Sequence, residues 1–449
     1  MDLRRGKGIP SSEAIRVSLW FWPATVASAC FLVTVLLLRF RPDPASRVAR
    51  LVWPGEASTA TALMQTVATA SMTAFSLTFS LTIVALQLAS QQFSPRLLRS
   101  FARDWIAQVT MAVLVSAVVV SLTSLAAVRA PGPLPVLAPA LTLLLGLGGL
   151  AMLVAFVAHI VRRLRVDTMM TAVHQDTASI LQKCYPLYGQ ACDPPATGLP
   201  GPEGGVVMPA CRSGFVRTID APALVKVACR HQVLLWLTVH PGDSVIIGTP
   251  VASAFARDGA EISADALSQD LGRAVILGAE RTEEQDIAFG LRQLADIAVR
   301  AASPALNDPT TTAEALGYCA DLLVQLQSRH LAPRVHHDRD GRPAVVVTHR
   351  DLKYYLDLTC SQIRRSGRRE PTILTAILRL LRDLAVHARD EGQRAEIATQ
   401  VSLVLAELPD DLIEEDARYV HDTALRVRSA LCGDVDTAYR DITGRTRSI

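Results

Sequence analysis

The sequence predicts an α-helical multi-pass membrane domain of about four transmembrane helices, joined to a cytosolic α+β domain with a small β-barrel- or sandwich-like module and a helical C-terminal part. Three observations carry that expectation. Half of the 449 residues are apolar, and mean hydropathy is +0.28, too apolar for an ordinary soluble protein of this length. Charge is sparse from Val17 to Val161, then rises from Arg162 onward to the density of a soluble chain. Within that second part, short Val/Ile/Leu-rich runs separated by Gly and Pro turns give way to long helical periods.

A helix crosses the hydrocarbon core with about 20 apolar residues. Four segments meet that length, at 17–38, 60–89, 105–128 and 134–161, making 1–161 the membrane domain. Trp20, Trp22 and Trp105 stand near segment ends, where indole rings anchor at the interface. The first run is too long for the apolar region of a cleaved signal peptide, so it reads as a retained span. Flanking cations set the orientation. Arg4, Arg5, Lys7, Arg16, Arg96, Arg99, Arg103, Arg162, Arg163 and Arg165 fall on one side, against Arg39, Arg41, Arg47, Arg50 and Arg129 on the other, so both termini are expected in the cytosol.

The second segment has its own character. No charged residue occurs between Ala57 and Pro95, a stretch of about 55 Å as one helix. Thr59, Thr66, Thr69, Thr73, Ser76, Ser80, Gln87 and Ser90 recur at helical spacing and fall on one face, with Met64, Leu77, Leu81, Val84 and Leu88 expected opposite. Such a face serves either helix packing, where hydroxyls bond across an interface, or the lining of a pore or substrate path in a homo-oligomer. No Asp, Glu, Lys or Arg lies well inside a span, which argues against an ion-coupled pump. His159, at the cytosolic end of the fourth span, reads as interfacial.

From Arg162 to Cys184 the pattern continues the fourth span as one unbroken helix. A Pro/Gly-rich linker then runs to residue 205. The β module is expected over 206–262, with strands at 214–219, 233–239 and 244–247 and turns at Pro241-Gly242-Asp243 and Gly248-Thr249-Pro250. Its pattern is like that of lipoyl carriers, but Lys226 lies in a helical run rather than at a hairpin tip, which excludes a carrier role. Helices are expected near 263–278, 282–302, 309–329, 349–366, 371–389, 391–407 and 410–432, within a helical domain over 263–449 interrupted by a hairpin at 334–348 with an Asp340-Gly341 turn.

Two polar segments invite a site. In Arg281-Thr282-Glu283-Glu284-Gln285-Asp286, Thr282 and Gln285 have capping-box spacing. In Asn307-Asp308-Pro309, Asp308 suits an N-cap and Pro309 a first helical position. Helix capping accounts for both; the functional alternative is that the two helix starts, with Arg281, Glu283, Arg292, Asn307 and Asp308, form a cytosolic pocket for an anion or other small ligand. His336-His337-x-x-Asp340 could suggest a metal but reads as an exposed turn, so no metal is expected. The eight cysteines form no CxxC pair and read as reduced thiols. No nucleophile with a base, nucleotide loop or zinc signature occurs, so neither enzyme chemistry nor a cofactor is expected. The near-neutral net charge of +3, without a basic tract, gives no footprint for nucleic acid.

Three segments taken together, FSLTIVALQLASQQFSPRLLRSFARD, RSGFVRTIDAPALVKVACRHQVLLWLTVHPGDSVIIGTPVA and GAERTEEQDIAFGLRQLADIAVRAASPALNDPTTTAEAL, resemble the bacterial predicted-membrane-protein family called domain of unknown function 2254. The likeness covers most of the chain in the same order. That family more often has Ser-Pro-Gly-Ile-Asn-Asp-Pro where Ala305 and Leu306 stand here, so a turn that needs the glycine must differ. The resemblance implies a multi-pass inner-membrane protein and brings no reaction. The functional expectation is a homo-oligomeric channel or transport-related protein gated or assembled by its cytosolic domain, the alternative a non-conducting sensor or scaffold that binds a small ligand or protein.

Overall fold

The computed structural model describes residues 21–38, 57–92, 104–128, 137–163, 165–188, 198–199, 201–257 and 261–440. It divides into two compact units, Met1–Met169 and Met170–Ile449.

The first unit is helical. α1 (Phe21–Leu37), α2 (Ala57–Gln92), α3 (Trp105–Val128) and α4 (Leu137–Arg163) occupy the four expected segments. Three of them, α2, α3 and α4, are long and apolar enough to cross a membrane. α1 has 17 described helical residues, about 25 Å against a core of about 30 Å. α3 is the central helix: it packs on α1, α2 and α4, and half of its apolar window is buried, against 17% for α2 and for α4. Small residues permit the close approaches, since a Cβ on Gly149 would stand 3.0 Å from the Leu114 side chain and one on Gly146 3.1 Å from Val67. Within the bundle Thr78, Thr82 and Ser121 donate to carbonyls four residues back at 2.8, 2.8 and 2.6 Å, which satisfies their hydroxyls in an apolar surrounding.

The unbroken helix expected after the fourth span is two helices. α4 ends at Arg163 and α5 spans Val166–Cys184. In the second unit α5 leads to β1 (Val206–Pro209), β2 (Gly214–Ile219), α6 (Ala221–His231), β3 (Val233–Leu237), β4 (Ser244–Val245) and β5 (Pro250–Ala256). Of the expected linker, residues 189–197 and 200 lie outside the described residues. α7 (Ala264–Ala274), β6 (Val275–Gly278), α8 (Ile287–Ala301) and α9 (Pro309–Gln327) follow. The chain continues through β7 (Arg334–His337), β8 (Pro343–Val347), α10 (Leu352–Ser366), α11 (Pro371–Val386), α12 (Glu391–Ala406), α13 (Glu414–Leu431) and α14 (Val435–Tyr439).

The strands over 206–262 do not form a self-contained barrel. They divide between a five-stranded sheet, β1-β5-β3-β8-β7, and a three-stranded sheet, β4-β2-β6. The 334–348 hairpin, expected as an isolated interruption, completes the larger sheet: β8 lies parallel to β3 with Leu235 opposite Val345 and Trp236 opposite Val346. The helix expected over 263–278 stops at Ala274, and Val275–Gly278 pairs with β2 instead. Val275 and Ile276 are β-branched and pack better on a pleated surface than in a last helical turn. One core cluster joins Leu235 and Val345 of the sheet to Leu224 and Ala228 of α6 and Leu267 and Leu271 of α7. The later helices build around α11, which packs on α9, α12 and α13 and buries Leu374, Ile377, Leu378, Leu381 and Leu384.

The expected helix over 282–302 begins later, at Ile287. The Thr282–Gln285 capping box does not form. Asp286 is the N-cap, accepting from Phe289 N at 3.1 Å, while the Gln285 side chain accepts from Ile219 N at 2.8 Å and the Thr282 hydroxyl has no partner. Asp308 and Pro309 do start α9 as their types dictate.

Candidate functional site

In the first unit the hydroxyl face lies on the outside of the bundle. Thr66, Thr69, Thr73, Ser76, Ser80 and Gln87 are all exposed on α2. Ala60, Met64, Ser71, Thr78, Thr82 and Ala85 are buried. At about 100° per residue the two sets point in opposite directions. The side opposite the hydroxyl stripe is therefore a mixed small and polar face; of the residues expected there, Met64 is buried, Leu81 half-buried, and Leu77, Val84 and Leu88 exposed beside the stripe. Thr66, Thr69 and Thr73 donate to the carbonyls of Ala62, Gln65 and Thr69 at 2.8, 3.0 and 3.0 Å. Each hydroxyl proton is thus held by α2 itself, and the oxygen lone pairs are left facing outward.

The first unit also holds a pairing that sequence reading missed. His159 Nε2 of α4 stands 2.8 Å from Asp104 Oδ2 at the start of α3, with the side chains 16% and 3% exposed. Asp104 Oδ1 also accepts from Ile106 N at 3.0 Å. Asp104 ends the FARD run quoted above, so the signal was present as a lone acid at a span's edge.

In the second unit the two polar motifs sit at opposite ends of one helix. Arg281 grips Asp286 through Nε at 2.5 Å and Nη2 at 3.1 Å, at the N-terminus of α8. Asn307 and Asp308 follow its C-terminus, with Asp308 N bonded to Ala301 O at 2.9 Å. The 15 residues of α8 span about 22 Å, so no common pocket forms. Glu283 accepts from Gln293 Nε2 at 3.0 Å, Arg292 is half-buried, and Asn307 is exposed at φ 46°. Asp308 accepts from Thr311 N at 3.0 Å and Thr311 Oγ1 at 2.6 Å, and these bonds hold its carboxyl below the usual range.

The Arg281–Asp286 end does belong to a polar chamber, built with residues not singled out from the sequence. Tyr185, His240, Gln285, Asp286, His349, Arg350 and Tyr355 line a cavity of about 10 Å³, room for about one water molecule. Asp243 ties two of the lining residues together. It accepts from His240 N at 2.7 Å and Arg350 Nη2 at 2.6 Å; burial pushes its carboxyl up, but the His240 bonds and the Arg350 charge outweigh that and hold it low. Arg281 is desolvated, yet its bonds and charge contact with Asp286 raise its pKa. Gly242 has φ +90°, and a Cβ there would run into Asp286 and Arg281, so the turn needs glycine. His349 packs on the Tyr185 ring at 4.9 Å, and its Nε2 has no partner. Burial, with Arg334, His240 and His336 nearby, lowers it to about 4. Burial pushes Tyr185 up to about 12. The chamber leaves His349 Nε2 unpartnered beside a water-sized space; it has no room for a metabolite.

His336 and His337 are half-buried on β7 rather than exposed, and the described residues contain no cluster of three His, Cys, Asp or Glu arranged for a metal. The missed residues come from distant segments, HPGD at 240–243, THR at 348–350 with Tyr355 on the following helix, and Tyr185 after α5, so only the fold brings them together.

The family described as predicted membrane protein (DUF2254) matches residues 16–383, a range that contains every residue discussed in this subsection. Uncharacterized proteins of Mycobacterium bovis and Mycobacterium tuberculosis are 33% identical over 374 residues, covering 82% of this chain and 72% of theirs. No solved structure matches. With matching sequence along most of its length and helices apolar enough to span a bilayer, the chain belongs to the predicted membrane protein family DUF2254.

Proposed function

We propose that this protein is a homo-oligomeric channel or transport-related protein of the bacterial cytoplasmic membrane, with both termini in the cytosol. Copies meet around the outward face of α2, and the second unit assembles or gates the passage. The observation that supports this reading is the exposed stripe Thr66, Thr69, Thr73, Ser76, Ser80 and Gln87 on a charge-free span, turned away from the face that packs within the bundle. Back-bonded threonines turn a row of oxygen lone pairs outward, the type of group that replaces water around a permeating ion or polar solute. The purified protein in planar bilayers is expected to conduct, with the current altered by Thr73→Leu and Ser76→Leu. Absence of current under any voltage or membrane tension overturns the reading and leaves the stripe as a packing face between copies.

The alternative, a non-conducting sensor, is favoured by the chamber around His349 and Arg350. Its unpartnered His349 Nε2 beside the Arg350 guanidinium, in a space about the size of one water, supports a ligand no larger than a small ion. A chloride-dependent rise in melting temperature that Arg350→Gln abolishes supports this reading; the same rise in the variant counts against it.

A further inference from the structure

Two neighbouring isoleucines of the second unit stand largely in the open. Ile246 is 68% exposed and Ile247 69%. Local patterning assigns both to a strand, but β4 stops at Val245 and the pair forms the turn into β5. Ile246 N donates to Thr249 Oγ1 at 3.0 Å, and Ile247 N to Ser213 Oγ at 3.1 Å. Gly248 N donates to Ala210 O at 3.0 Å, and Thr249 N to Ile246 O at 3.0 Å. Gly248 takes φ +91°, which glycine adopts without strain. Four consecutive amides are thus satisfied within the protein, and the two branched side chains project from a fixed backbone.

The chain that builds this turn carries no acid. Over residues 205–219 and 244–256, which hold the turn and the strands running into it, only Arg212 and Arg217 are charged. Arg217 is paired with Glu284. Arg212 is exposed and precedes Ser213, which holds the turn. Val206 and Val207 of β1, 45% and 53% exposed, add apolar surface on the strand that leads to Ala210. Ile413 provides a contrast: it is 71% exposed, but Asp410, Asp411, Glu414, Glu415 and Asp416 all lie within three positions of it. Those acids repel an anionic bilayer. Exposed aliphatic side chains beside a cation, without acids, are the composition that enters a lipid headgroup region.

We propose that the Ile246–Ile247 turn is a membrane-docking knuckle of the second unit: the two isoleucines enter the boundary between headgroups and acyl chains, and Arg212 lies against lipid phosphates. A bilayer is the surface always within reach. Only two residues separate α5 from the end of α4, a helix long and apolar enough to cross a membrane, so the second unit is tethered where the effective concentration of lipid is high. A small apolar contact suffices under such a tether, because the cost of bringing the partners together is already met by the covalent link. The docking does not depend on conduction by the spans.

Fluorescence of the full-length protein in nanodiscs of phosphatidylethanolamine and phosphatidylglycerol tests it, with and without bromine on the acyl chains. Ile247→Trp and Ile413→Trp each add one indole at positions of nearly equal exposure, and the added emission is read as the difference from wild type. Bromine quenches from within the bilayer, acrylamide from water. Brominated lipid is expected to lower the added emission of Ile247→Trp by about twofold or more, as suits a side chain at the headgroup boundary, and to leave that of Ile413→Trp nearly unchanged. Bromine quenching no greater for Ile247→Trp than for Ile413→Trp overturns the proposal. In that event, quenching of Ile247→Trp by acrylamide leaves the turn in water, and protection from acrylamide assigns it to a protein partner such as a second copy of the chain. Ile246→Trp carries the same comparison should Ile247→Trp fail to fold.

Discussion

His349 sits beside a water-sized chamber with its Nε2 unbonded, and burial holds it neutral down to about pH 4. An unfolded chain protonates the same imidazole near pH 6.5. The folded value is the lower one, so this residue contributes stability above about pH 6.5 and loses it as pH falls toward 4. The loss amounts to about 3 kcal/mol at most. Denaturant titrations of the full chain are expected to show this decline between pH 7 and pH 4.5, and His349→Gln is expected to flatten it; an unchanged slope in the variant refutes the assignment. Sequence reading reached this chamber from one side only. Arg281 drew attention as a possible anion ligand, and the structure gives its charge to Asp286. His240, Asp243, His349 and Arg350 carried no local signal, because a polar residue beside a turn or a helix start looks the same whether it caps, solvates or lines a cavity.

At the scale of single elements, α2 combines two polar faces with different consequences. Thr78 and Thr82 are buried within the bundle and Thr73 is exposed on its surface. Thr78→Leu is expected to overpack the interior and cost about 1–3 kcal/mol, seen as a lower melting temperature in detergent. Thr73→Leu is expected to leave that temperature within about 1 °C, because surface substitutions change stability by about 0.5 kcal/mol or less, and to change oligomeric state instead. Equal destabilisation by both substitutions contradicts the separation of faces. The spans were legible because lack of charge over twenty or more residues has one physical reading in water and lipid. The inward face of α2 was not, because its spacing rule places leucines and threonines on similar arcs and leaves open which arc meets α3. β6 was hidden for a related reason: Ala264 to Ala274 is a good amphipathic helix, and nothing before Val275 announces that the next residues pair with β2.

For the whole molecule, the distribution of cations predicts a definite topology, with residues 39–56 and 129–136 on the far side and both termini in the cytosol. A fluorescent reporter that matures only in the cytosol is expected to light at either terminus and to stay dark when inserted near residue 45 or residue 132. A bright insertion at residue 45 reverses that assignment. The division into an apolar helical unit and a second, more highly charged unit was legible from charge density alone, and most helices of the second unit fell close to their expected positions. The long-range sheet was not, since local patterning assigns strands but leaves partners about 110 residues apart unspecified. That pairing of β3 with β8 also bears on how the chain is made. At about 5–20 residues per second, roughly 5 to 20 s separate the emergence of Trp236 from that of Val346. For that interval the edge of Val233–Leu237, all five residues buried in the finished protein, has no strand to cover it. Synthesis of the second unit thus carries a timed window of aggregation risk that closes only when the hairpin arrives.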